Sequence, residues 1–112
     1  ECFSKGEKEV FKYVKSIYNG TIIENDRTQI VNPKTKNHIE LDIWMPKISK
    51  AIEYNGEYWH SNEDVKFKDN QKQIQCEQKG IDLLVINDIK WKKEKTSIKN
   101  KIYNFLGNNN ET

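Results

Sequence analysis

The stretch HIELDIWMPKISKAIEYN, residues 38–55, decides the fold of this chain. His38 to Met45 alternates apolar and polar positions, the period-two pattern of a half-buried strand. Pro46 to Ser49 is a four-residue connection, and Lys50 to Asn55 reads as the next strand, stopped by Gly56. The two strands make a β-hairpin. Centring its loop on Lys47 and Ile48 sets Asp42 opposite Glu53 and Glu40 opposite Asn55. Opposed residues share a face, with Cβ atoms about 4.5–5.5 Å apart. Three acidic side chains and an amide then meet on one face of the sheet. Opposed like charges are destabilising, more so when buried. A hard divalent cation offsets the repulsion, because Mg²⁺ takes one or two carboxylates together with substrate phosphate. An outward face neutralised by Lys36, Lys47 and Lys50 offsets it equally well, and a one-residue slip in register disperses the cluster altogether.

Working outward, Ser4-Lys5-Gly6-Glu7 is a capping-box pattern, so a helix starts near Lys5. Val10, Phe11, Val14, Ile17 and Tyr18 carry its apolar stripe to Asn19-Gly20. Thr21 to Ile23 and Gln29 to Val31 read as two short strands separated by a polar turn, Glu24 to Thr28, and residues 32–35 as a loop. After the hairpin, Asp64 to Lys79 reads as a helix closed by Gly80, Ile81 to Ile86 as a buried strand, and Lys95 to Leu106 as a last helix. The order α-β-(β)-β-β-α-β-α predicts an α/β domain over residues 1–106, a small central mixed sheet flanked by helices, with residues 107–112 a frayed tail.

Composition narrows the function classes. The chain has 112 residues, 35% hydrophobic and 32% charged. No apolar run nears the ~18 residues of a membrane-spanning helix, and ECFSKGEKEV holds no secretory h-region. Cys2 and Cys76 form neither a disulfide framework nor a zinc motif, which points to a reducing, intracellular setting. The absence of an initial Met points to a fragment of a longer protein. A net charge of +2 says little by itself. The segment Lys90 to Lys101 is locally basic, with six Lys against one Glu; it reads as a solvated helix face or a phosphate-binding patch. His60, just beyond the acidic strand, can act as a general acid or base near neutral pH. His38 reads as structural or exposed.

Leu41-Asp42-Ile43-Trp44 followed by Ala51-Ile52-Glu53-Tyr54-Asn55-Gly56 resembles the PD-(D/E)xK nuclease signature, with Asn55 where Lys is usual. Gly56-Glu57-Tyr58-Trp59-His60 is similar to the segment found in the very-short-patch-repair (Vsr) branch, which lacks that Lys. The set Glu7, Asp42, His60 and Asp69 resembles the EDxHD homing endonucleases, intron- and intein-associated relatives of Vsr. Gly80 to Ile86 with Trp91 is similar to the family's closing strand and Trp. The likeness covers roughly residues 4 to 91. Where Vsr carries a His- and Cys-rich zinc segment, this chain has Ser61-Asn62-Glu63-Asp64, so no structural zinc is expected and the homing branch is favoured.

The resemblance implies a restriction-endonuclease-like fold and Mg²⁺-dependent (or Mn²⁺-dependent) hydrolysis of a phosphodiester in double-stranded DNA. It implies Asp42 as the main metal ligand and the main-chain carbonyl of Tyr54 as a second. Glu53 is a further ligand or only a strand-edge acid. His60 takes the place of the Lys as general base or acid, Asn55 positions water or phosphate, and Glu7 and Asp69 bind outer-sphere water or orient His60. Simpler readings stand beside these. A capping box alone explains Glu7, and Lys72 makes an ordinary helix pair with Asp69. Asp64 is the runner-up downstream acid, and Glu9 and Glu40 also compete to complete the site. Trp59 reads as core packing rather than a DNA wedge, and Trp91 as core. Lys90, Lys92, Lys93 and Lys95 are the candidate phosphate contacts. A double-strand break requires a homodimer or two sequential nicks, and homing specificity requires a further DNA-binding module outside this chain. The setting implied is the cytoplasm or nucleoid of a bacterial or phage-infected host. The alternatives are a non-catalytic DNA-binding or structural module that keeps the fold, and a Vsr-like or restriction-type nuclease.

Overall fold

In the computed structural model, residues 5–55 and 63–107 are described. Helix α1 (Lys5–Ile17) leads into strand β1 (Ile23–Val31) and the hairpin β2 (His38–Met45) and β3 (Lys50–Asn55). Helix α2 (Glu63–Lys79), strand β4 (Asp82–Asn87) and helices α3 (Asp88–Lys93) and α4 (Lys95–Phe105) complete the chain. The four strands lie in the order β1-β2-β3-β4. The first two pairings are antiparallel, and β4 runs parallel to β3. Parallel neighbours need a crossover, and α2 provides it. This is the mixed α/β class the element pattern predicts, and the hairpin strands have the expected bounds. Among the described residues no helix is long and apolar enough to cross a membrane.

The sheet separates two cores. Val10 and Val14 of α1 pack with Ile43, Met45, Ile52, Ile86, Trp91, Ile98 and Ile102 on one face. Ile30, Ile39, Leu41, Trp44 and Ala51 meet Cys76 of α2 and Ile81 on the other. Gly80 closes α2 at φ +74°, where a left-handed residue lets Ile81 N–H reach the Cys76 carbonyl at 2.7 Å.

Strand β4 is not the buried strand expected, since only Ile86 along it is buried while Asp82 and Val85 are exposed at the open side of the sheet's edge strand; two further expectations are corrected. The polar run Glu24 to Thr28 does not separate two strands; it lies inside one continuous strand and is absorbed by a register shift against β2 between Asp26 and Ile30. Asn25 takes φ +54°, and buried Asp26 accepts hydrogen bonds from Thr28 N–H at 3.1 Å and Thr28 Oγ1 at 2.9 Å. The turn chemistry is satisfied locally while pairing persists on either side. The last correction is α3, for which the sequence reading provides no element. Asn87 caps it, accepting from Ile89 N–H at 2.8 Å and Lys90 N–H at 3.2 Å, and the short turn drives Trp91 into the core. The cap residue Ser4, Cys2 and residues 108–112 of the tail lie outside the described residues.

Gly6 marks a close approach. The Tyr54 hydroxyl donates to Asp88 Oδ1 beneath the first turn of α1, and a Cβ on Gly6 would overlap that hydroxyl and come within 2.6 Å of Tyr54 Cζ. Gly6→Ala is expected to destabilise the fold by about 1–3 kcal/mol through this overpacking. Urea unfolding checks it, and Gly6→Ala/Tyr54→Phe should recover part of the loss.

Candidate active site

The paired residues Ile43–Ile52, Trp44–Ala51 and Met45–Lys50 fix the hairpin register. Continued by one residue, it sets Asp42 opposite Glu53, as centring the loop on Lys47 and Ile48 requires. At that point side chains replace the backbone ladder. Glu53 Oε2 accepts from Asp42 N–H at 2.9 Å, and Asp42 Oδ2 accepts from Tyr54 N–H at 2.9 Å. The alternation of β2 changes phase at the same place. Ile43 and Met45 enter the α1-side core, whereas Ile39 and Leu41, equally odd-numbered, enter the α2-side core. Two carboxylates thus stand in the gap where β2 and β3 part.

Helix α2 brings a cation to this gap. Lys72 Nζ lies 2.6 Å from Glu53 Oε1, with side chains only 14% and 4% exposed respectively. Glu53 therefore has both oxygens engaged. Burial and the neighbouring Asp42 carboxylate push Glu53 up to about 7, against the pull of Lys72 and of the Asp42 N–H. Burial raises Asp42 as well, opposed by the Tyr54 N–H and by Lys72. The Lys72 ammonium is held above its ordinary value by Glu53 despite its burial.

Glu7 projects from the first turn of α1 into the same field. Burial first, then Asp42, Glu40 and Glu24, raise it to about 7. Asp69 lies three residues before Lys72 on α2 and acts electrostatically on both Asp42 and Lys72. With Glu53, Asn55 and Lys72 it lines a hollow of about 260 Å³. Glu40 lines an adjoining hollow of about 350 Å³ with His38, Lys68 and Lys72, and pairs with Arg27 at 3.1 Å. The fold therefore gathers Glu7, Glu40, Asp42, Glu53, Asn55 and Asp69 around Lys72. Glu9 is not part of this group. It takes the Trp91 Nε1–H at 2.8 Å and Lys95 Nζ at 2.9 Å, tying α1 to α3 and α4. His60 and Trp59 lie outside the described residues, as does the side chain of Asp64.

The raised carboxyl of Glu7 has a consequence for stability. A folded-state value near 7 against 4.5 unfolded means that the folded chain binds more protons between those limits, so stability falls as pH rises through that window. Glu7→Gln should flatten this slope and stabilise the domain at pH 8 by about 1–2 kcal/mol, discounted for the group's partial exposure. Thermal melts of both proteins at acid and alkaline pH measure the difference.

No family model and no solved structure matches the chain. The chain is similar to the uncharacterized protein 033L of Invertebrate iridescent virus 3, 24% identical over 94 residues, covering 74% of this chain and 48% of that protein. It thus spans about half the length of that relative.

Lys72 is the residue that sequence reading missed as part of the site, since a helix pair with Asp69 accounted for it. The available signal was spacing: Lys72 precedes the buried Cys76 by four residues, which puts it on the sheet-facing side of α2. The basic segment is placed in part. Asn87 pairs with Asn55, so α3 starts at the site's end of the sheet. Lys92 is committed to Asp88 at 3.1 Å and Lys95 to Glu9, while Lys90 and Lys93 are exposed with no ion pair among the described residues.

Among the described residues no three His, Cys, Asp or Glu side chains converge closely enough to hold a metal ion. Mg²⁺ needs fewer protein donors: one or two carboxylates suffice when phosphate and water complete its shell. Asp42 and Glu53 bring two carboxylates to one gap between strands, Glu53 with its oxygens on the Asp42 N–H and Lys72, and Asp42 with one oxygen on the Tyr54 N–H.

Proposed function

We propose that this chain is the catalytic domain of a metal-dependent DNA endonuclease with a restriction-endonuclease-like fold, of the EDxHD homing type within the PD-(D/E)xK superfamily. The observation that carries the reading is the meeting of Asp42 and Glu53 where β2 and β3 part, with Lys72 bonded to Glu53. Opposed buried carboxylates are costly, and here they are held by one ammonium and two backbone N–H groups, an arrangement that a cation and a phosphate would complete. Lys72 supplies from α2 the cation that Asn55 fails to supply on the strand.

Asp42, Glu53 and the Tyr54 carbonyl would hold Mg²⁺ or Mn²⁺. Such an ion activates water and neutralises charge growing on the scissile phosphate. The chain's own groups do the rest. Lys72 fixes a positive charge beside the carboxylate pair, where it stabilises negative charge developing on phosphate oxygens. Asn55 offers an amide to orient water or phosphate. Glu7, with its carboxyl near 7, can hold or release a proton close to neutral pH. Glu53 keeps Lys72 charged, with Asp42 and Asp69 adding to its pull. His60 is assigned general acid–base chemistry on the strength of the motif. Double-stranded DNA is the substrate, recognition of a target sequence is assigned to a module elsewhere in the whole protein, and cutting both strands to a homodimer or sequential nicking.

The test is nicking of supercoiled plasmid at low salt with Mg²⁺, with Mn²⁺ and with chelator. Metal-dependent nicked or linear product, lost in Asp42→Asn, is the expected result. A folded, metal-supplied wild type that cuts nothing would move the assignment to a non-catalytic DNA-binding module.

A further inference from the structure

Helix α1 carries Lys5, Lys8, Lys12 and Lys15 at spacings of three, four and three residues. At 3.6 residues per turn these positions fall within an arc of about 80°. All four are exposed, and none takes part in an ion pair among the described residues. Glu9, the acid one turn after Lys5, is already held by Trp91 and Lys95. Like charges three and four residues apart destabilise an isolated helix, so the stripe opposes the helix that bears it and calls for a polyanion to offset it. The lysines line a hollow of about 530 Å³ together with Phe11, Glu24, Glu7 and the already bonded Glu9. At 1.5 Å per residue the stripe spans about 15 Å. That matches the axial length of about four phosphates on one DNA strand. Glu7 of the first turn also lines this hollow and is near enough to Asp42 for that carboxylate to raise it, so the hollow joins the stripe to the carboxylate gap.

We propose that the α1 stripe, rather than the α3 segment, is the main backbone clamp for duplex DNA, gripping consecutive phosphates of one strand and leading it to Asp42. This deepens the nuclease reading and rests on it for the identity of the polyanion. It also places the contact on lysines that make no ion pair among the described residues, Lys15 standing over the Phe11 ring, whereas Lys92 and Lys95 of the Lys90–Lys95 segment are neutralised by Asp88 and Glu9.

Binding is measured by fluorescence anisotropy with a short labelled duplex, metal chelated, over a salt series. Lys8→Gln/Lys12→Gln/Lys15→Gln keeps good helix formers at exposed positions, so its melting temperature should hold. The triple variant is expected to bind at least about tenfold more weakly at low salt and to lose between 2 and 3 from the slope of log K against log salt, at about 0.9 per phosphate contact. Lys90→Gln/Lys93→Gln is expected to change the slope less. Retention of affinity and slope by the triple variant overturns the clamp, and so does a wild type without affinity for duplex at low salt. Plasmid nicking is scored separately. Loss of binding on the stripe in a protein that never nicks would uphold the clamp and sink the nuclease, whereas nicking with an indifferent stripe would do the reverse.

Discussion

Asp42→Asn is expected to abolish metal-dependent nicking while leaving the fold at least as stable as wild type. The loss should reach at least a factor of about 100, the scale expected when a group that positions transition-state charge is removed. Stability should not suffer, because an Asn carbonyl oxygen can still accept the Tyr54 N–H that Asp42 Oδ2 accepts now. The substitution also removes a negative charge that raises both Glu7 and Glu53. Their carboxyls should move down toward 4.5, and the domain should gain stability above neutral pH, where wild type carries the uncompensated charge. Inactivity combined with a raised melting temperature at pH 8 is a signature that a purely structural role for Asp42 does not produce. Equal nicking by wild type and variant would place the activity elsewhere or in a contaminant, and a variant that melts early would make Asp42 a structural acid.

How much of this could be read from the chain depended on whether the deciding interaction was local. The hairpin was legible because a four-residue loop and period-two alternation fix register together. Asp42 opposite Glu53 followed from counting. The β1 bulge was not, since Glu24 to Thr28 carries real turn chemistry, and only pairing with β2 on both sides shows that the strand continues through it. Helix α3 is six residues long, too short for periodicity to register. The site divided along the same line. Asp42, Glu53 and Asn55 are neighbours in the hairpin. Lys72 reaches Glu53 only because the α2 crossover lays a helix over β3, a contact nineteen residues away in sequence. The local hints were the missing Lys on the strand, where Asn55 stands, and the spacing of Lys72 four residues before the buried Cys76.

That contact makes Lys72→Met the sharper probe of the two carboxylates. Removing the ammonium leaves Glu53, 4% exposed, with no counter-charge beside it. Breaking a buried pair in this way costs about 3–5 kcal/mol. The cost must depend on pH. Glu53 already sits near 7 in the folded chain against 4.5 unfolded, and loss of Lys72, which pulls it down, raises it further. The folded variant then holds a proton that the unfolded chain releases, so its stability declines as pH climbs from 4.5 through and beyond 7. Lys72→Met should therefore melt close to wild type at pH 5 and far below it at pH 8. Adding Glu53→Gln should restore most of the alkaline stability, because the carboxylate that lost its bonded ammonium is then neutral and Asp42 keeps the Tyr54 N–H. Restored folding does not restore chemistry under the proposed function: the double variant lacks both the carboxylate and the ammonium at the gap, and should be stable yet unable to nick DNA. A double variant that cuts like wild type would reduce the pair to a structural strut. A single variant equally stable at both pH values would mean that Glu53 finds its proton or its partner elsewhere.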